Sequence, residues 1–147
     1  MTEKPSNPKD LFGSKKFSIS AVPMQVLGEL AVAMQEGAAK YGKSNYRVIG
    51  VRASIYIDAA FRHISAWWEG QDTDPDSNLS HITKAIASLT VLKDAINKGN
   101  LEDDRPPIVD SDNWVNDLNK KVELLAEKYP NPKQAFTQKN TAPASRD

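Results

Sequence analysis

Four segments of this 147-residue chain repeat apolar residues every three or four positions, and no core segment alternates them every second one. That pattern reads as helix rather than strand and sets the class as all-α. In the first segment Val22, Val26, Leu30, Met34 and Gly37 share a face. Ser20 is its N-cap candidate, Pro23 lies in the first turn, and the helix ends near Lys40 with Gly42 beyond it. A second helix spans about 53–69, with Ile57, Phe61, Ile64 and Trp68 as its apolar stripe and Asp58, Arg62, Ser65 and Glu69 as a polar one. A third spans 79–97, with Leu79, Ile82, Ile86, Leu89 and Ile96 on the core edge and His81, Lys84 and Ser88 on a polar flank. A fourth, 113–129, carries Val115, Leu118, Val122 and Leu125, and Pro130 and Pro132 stop it.

The organisation follows. Residues 1–20 are polar and read as an extended arm, and 21–100 form the helical core. Residues 101–112 are an acidic linker containing Pro106–Pro107, 113–130 a C-terminal helix, and 131–147 a flexible polar tail. A helical unit of this size with an apolar stripe on each helix often completes its core by oligomerising.

Charge excludes some functions. Lys plus Arg equal Asp plus Glu at 19 each, so the chain is not a polycation built for nucleic acid. No apolar run reaches the ~18–20 residues of a membrane span, and the first ten residues lack a signal-peptide core. With no cysteine as well, a soluble cytoplasmic protein is expected. The neutral total hides blocks: residues 1–52 hold eight bases against four acids, whereas 53–81 hold Arg62 against five acids. That acidic block also contains both histidines and two of the three tryptophans, company that a merely solvated face does not require.

Several residues could carry chemistry. Asp72-x-Asp74-x-Asp76 suggests an EF-hand, but that loop's sixth and twelfth positions hold Ser77 and Thr83, not Gly and Glu. A metal site assembled between helices, from Glu36, Asp58 and Asp74 or Asp76, is the better reading. The alternative is helix capping by Asp76, with its neighbours solvated. Glu36 and Lys40 are either an i, i+4 ion pair or a split set, Glu36 on a metal and Lys40 on a phosphate. His63 and His81 are a ligand or base, or else hydrogen-bonded interface histidines. Trp67 and Trp68 point about 100° apart, so one can be core while the other stacks on a base. No phosphate-binding glycine loop, dinucleotide fingerprint, nucleophile elbow or HExxH motif is present.

Blocks of the chain, taken in order, resemble a known family. They are Asn7-Pro8-Lys9-Asp10, Gly13-Ser14-Lys15-Lys16, Glu36-Gly37-Ala38-Ala39-Lys40-Tyr41-Gly42 with Asn45-Tyr46-Arg47, Asp58-Ala59-Ala60-Phe61-Arg62-His63, Ala66-Trp67-Trp68-Glu69-Gly70 and Asp74-Pro75-Asp76-Ser77-Asn78-Leu79-Ser80-His81. Over about residues 7–107 they look like the phage-type dATP/dGTP diphosphohydrolase N-terminal domain, grouped with the MazG-like all-α nucleoside triphosphate pyrophosphohydrolases. The resemblance implies a MazG-like bundle, commonly a homodimer or homotetramer. It also implies cleavage of dATP or dGTP to the monophosphate and pyrophosphate, using Mg²⁺ or Mn²⁺ held by carboxylates, in the host cytoplasm for a phage-encoded chain. Here Phe61 and Arg62 follow Asp58 where the MazG pattern has a second carboxylate, and His81 and Lys84 stand where the next helix has its own.

On that reading Glu36, Asp58, Asp74 and Asp76 hold the metal, and Glu36, Asp58 and His81 serve catalysis. Lys15, Lys16, Lys40, Arg62 and Lys84 meet the phosphates. Trp67 or Trp68 stacks on the purine, and Asn45 and His63 complete the substrate site. The alternatives are a nucleotide-binding module without catalysis and a helical interaction protein working through residues 100–129.

Overall fold

A computed structural model describes residues 5–108 and 113–141. Residues 1–4 of the expected arm, 109–112 of the linker and 142–147 of the tail lie outside the described residues. The chain divides into two compact units, Met1–Pro106 and Pro107–Asp147.

The first unit is helical, as the apolar spacing requires. Its arm is not wholly extended: Asn7 accepts a hydrogen bond from the Lys9 amide at 3.0 Å, Pro8 fixes the first turn, and α1 forms over Pro8–Gly13. A single 3₁₀ turn, Ile19–Ala21, leads into α2, Met24–Tyr41, with Pro23 at its N-cap. Gly42 then turns the chain at φ 93°. The segment between Gly42 and the next long helix contains a short helix, α3, Tyr46–Ile49, and a two-residue strand, β1, Val51–Arg52. Helix α4 spans Ala53–Trp68 and α5 spans His81–Lys98, closed by Gly99 in the left-handed conformation.

The start of the linker is not irregular either. Leu101–Glu102 form β2, which pairs in parallel with β1, Val51 opposite Leu101. Asp104 folds back onto the start of α4 and accepts from the Ser54 amide at 2.8 Å and from its hydroxyl. A carboxylate there satisfies an otherwise unpaired helix N–H and suits the helix dipole.

Helix α5 is the element the others share: it packs on α2, α3, α4 and both strands. Val51, Val91 and Ala95 form the buried cluster, covered by Met34, Tyr46, Tyr56, Leu92 and Leu101. The expected core faces therefore need correction. Helix α4 buries Ala53 and Ala60, whereas Phe61 is 62% exposed and Trp68 74%. Helix α5 buries Ala85 and Ala95 and leaves Leu89 and Ile96 outside. Alanine faces let two helices approach closely, and that approach turns the larger stripe of α4 outward.

The second unit contains α6, Trp114–Lys128, which has no buried residue. Among the described residues no helix is long and apolar enough to cross a membrane.

Candidate functional site

The C-terminal half of α2, the turn after it, α3, α4 and α5 surround a cavity of about 430 Å³. Helix α2 contributes Glu36, Lys40 and Tyr41, the turn contributes Lys43 and Asn45, and Tyr46, Tyr56, Lys84 and Ser88 complete the wall. Its charged residues are Glu36 against Lys40, Lys43 and Lys84, one acid to three bases.

Glu36 organises the polar side. Its Oε1 lies 2.7 Å from the Lys40 Nζ, the i, i+4 neighbour on the same helix, and its Oε2 lies 2.5 Å from the Lys84 Nζ on α5. The hydrogen bond from Lys40, then that from Lys84, holds the Glu36 carboxyl below its ordinary value against the opposing effect of burial. The Lys40 ammonium is pushed up in turn, first by its hydrogen bond to Glu36. The ion pair read from spacing is present, and a second ammonium, 48 positions along the chain, joins it.

The loop between α4 and α5 is tied at its base by a bridge between Thr73 and Ser80 and by the His81 amide donating to the Asp72 carbonyl at 3.0 Å. Asp74 accepts from the Ser77 hydroxyl at 2.8 Å and from the Asp76 amide at 3.2 Å. Burial pushes its carboxyl up, yet these two donors, with the charges of His63 and Lys84, hold it below its ordinary value. Asp76 does not cap α5; the Ser80 side chain does, accepting from the Thr83 amide.

The histidines form a pair. His63 Nδ1 and His81 Nδ1 are 2.9 Å apart, and His81 Nε2 is 2.9 Å from the Gln71 amide oxygen. An amide oxygen only accepts, so the pattern assigns the proton of His81 to Nε2 and makes His63 Nδ1 the donor to His81 Nδ1. His81 is 5% exposed and both its ring nitrogens are engaged. Burial, then the neighbouring His81, pushes the His63 imidazole below its ordinary value.

Of the residues expected from the sequence, Glu36, Lys40, Asn45 and Lys84 line the cavity. Asp74, Asp76, His63 and His81 do not line it. Asp58 and Arg62 are exposed on α4, away from its buried alanine face. Trp67 and Trp68, with ring centroids 6.4 Å apart, and Lys15 and Lys16 beyond α1 do not line the cavity either. The tyrosines 41, 46 and 56 were given no role from sequence, and neither was Lys43. Tyr41, Lys43 and Tyr46 cluster around Gly42 beside Lys40, which is the signal the sequence holds for them; Tyr56, within α4, has none.

The donor set does not fit a protein-held Mg²⁺ or Mn²⁺ within one subunit. Such ions take oxygen ligands free to coordinate, and each Glu36 oxygen already carries an ammonium. Among the described residues no three His, Asp or Glu side chains are disposed to hold a metal.

Fold and site define an α-helical domain that turns ammoniums, an amide and phenol rings towards one cavity of small-molecule size. The family model described as dATP/dGTP diphosphohydrolase, N-terminal, matches residues 6–105, and the chain belongs to that family. The family's description names a hydrolase acting on nucleoside triphosphates; residues 106–147 lie outside the match. No curated protein and no solved structure matches the chain significantly.

Proposed function

We propose that this chain binds a purine deoxynucleoside triphosphate, dATP or dGTP, in the cavity and hydrolyses it to the monophosphate and pyrophosphate. The observation that carries the reading is the convergence of Lys40 and Lys84 on Glu36 inside a tyrosine-walled cavity of about 430 Å³. A triphosphate spreads several negative charges along its chain and is best met by cations held in place beforehand. Glu36 holds two. The purine stacks on the tyrosine side, and Asn45 offers an amide to base or sugar.

In the reaction a water oxygen forms a bond to the α-phosphorus while the bond to the α–β bridging oxygen breaks; pyrophosphate leaves with that bond's electron pair, and the water's proton passes to solvent. Lys40 and Lys84 neutralise the charge that collects on the departing phosphates. We also propose a homo-oligomer, dimer or tetramer, because α4 exposes Phe61, Ile64 and Trp68 on one stripe of a separate subunit.

The test is incubation of the full chain with dATP and with dGTP and measurement of pyrophosphate. Release that falls at least about tenfold in Lys84→Met, the scale of one hydrogen bond to a charged group, supports the reading. No turnover with any nucleotide rejects it. A second reading, a nucleotide-binding module without catalysis, is favoured by the engagement of both Glu36 oxygens, and it predicts bound nucleotide recovered intact.

A further inference from the structure

Lys84 stands where a counter-ion would be sought. Its Nζ lies 2.5 Å from Glu36 Oε2, so an ammonium of α5 meets the carboxylate of α2. Its side chain is only 18% exposed, whereas that of Lys40 is 45% exposed. An ammonium against this carboxylate, with three N–H donors and a full charge, satisfies it as a hydrated divalent ion would. Unlike such an ion, it is tethered and does not depart with the product.

Resting on the function proposed above, we infer that Lys84 is the built-in cation of this site, and that the cavity engages the phosphates of a nucleotide without a metal ion held by the protein. The ammoniums of Lys40 and Lys84 remain after Glu36 has neutralised one charge between them, and Lys43 adds a third to the wall. An incoming phosphate oxygen can replace a Glu36 oxygen on either ammonium. Each lysine has donors to spare, so it need not release the carboxylate altogether.

The test measures binding of a non-hydrolysable dGTP analogue to the full chain by calorimetry, in chelator and in excess Mg²⁺. Mn²⁺ alone is titrated in parallel and followed by electron paramagnetic resonance. The expected results are affinities within about threefold of each other in the two buffers and no saturable Mn²⁺ site below about 1 mM. Lys84→Gln should lose about tenfold or more in chelator, with Lys84→Arg keeping most of the affinity. Circular dichroism melts of both variants separate lost binding from lost fold, and Lys40→Gln, at a more exposed position, supplies a second variant expected to weaken binding in chelator. Binding that appears only with metal, a Mn²⁺ site abolished by Glu36→Gln, or Lys84→Gln binding as the parent does would each overturn the inference. Metal-dependent pyrophosphate release would overturn it and leave the proposed function standing, whereas neither binding nor turnover under any condition would remove both.

Discussion

His63 and His81 meet Nδ1 to Nδ1 at 2.9 Å, and one proton serves both atoms. The His63 imidazole is held below its ordinary value, first by burial and second by the neighbouring His81. The sign follows from proton counting. The unfolded chain takes up a proton on His63 near the ordinary histidine value of about 6.5, and the folded chain does so only at lower pH. The contribution is fully present above that value and is lost as pH falls through the folded value. Thermal melts from about pH 8 to 5 should show the midpoint falling below about pH 6.5, and more shallowly in His63→Gln. An equal slope in the variant would place the proton uptake elsewhere.

Glu36 has the opposite kind of dependence. Its carboxyl is held low first by Lys40 and then by Lys84, so it stabilises the fold above the unfolded carboxylate value, and that contribution is lost as pH falls through the folded value. Carboxyl-carbon NMR should show Glu36 titrating below the ordinary glutamate value of about 4.3. Lys40→Met and Lys84→Met should each raise its midpoint, Lys40→Met at least as far. A midpoint unmoved by both substitutions would mean that neither ion pair persists in solution.

The helices were legible in the sequence because periodicity is a local signal, and the termini of α2, α4 and α5 fall within a few residues of the expected ones. The face that each helix buries was less legible. Phe61 and Trp68 are larger apolar residues of α4, but Ala53 and Ala60 are its buried ones, and which face is covered is a property of packed helices together. The same reason hid Lys84 as a partner of Glu36, since nothing local connects residues 48 positions apart. Asp58 was read as a ligand from its place in a polar stripe, and the structure puts that stripe on the exposed side of α4. The two-residue strands β1 and β2 are too short for any alternation to mark them.

The aromatic residues divide into two groups with different expected roles. Tyr41 lines the cavity and is 70% exposed, so its ring can be removed without cutting into the core. Tyr41→Ala should weaken nucleotide binding about tenfold, the scale of one base stacked on an aromatic ring, and change stability by less than about 0.5 kcal/mol. Trp67→Phe and Trp68→Phe should bind within about twofold of the parent, because neither indole reaches the cavity. Calorimetry with the same non-hydrolysable analogue decides. Loss of binding in a tryptophan variant, with Tyr41→Ala silent, would move the base to the other side of α4.

Gly50 joins the strand pair to the cavity. Its φ of 89° and ψ of 177° belong to a region that side chains avoid, and a Cβ there would lie 3.1 Å from the Asn100 carbonyl oxygen. That oxygen accepts from the Val51 amide at 3.1 Å, and the Asn100 side chain donates to the Tyr46 and Arg47 carbonyls at 3.0 and 2.6 Å. Asn100 thus holds α3, and with it the Tyr46 wall of the cavity, against the start of β2. Gly50→Ala should cost about 1–3 kcal/mol in chemical denaturation and weaken nucleotide binding as Tyr46 shifts. Gly28→Ala is the control: within α2, with nothing inside 4 Å of its added Cβ, it should stabilise by about 0.5–1 kcal/mol and leave binding unchanged. If Gly50→Ala destabilised the fold but bound nucleotide as the parent does, the cavity wall would not depend on Asn100.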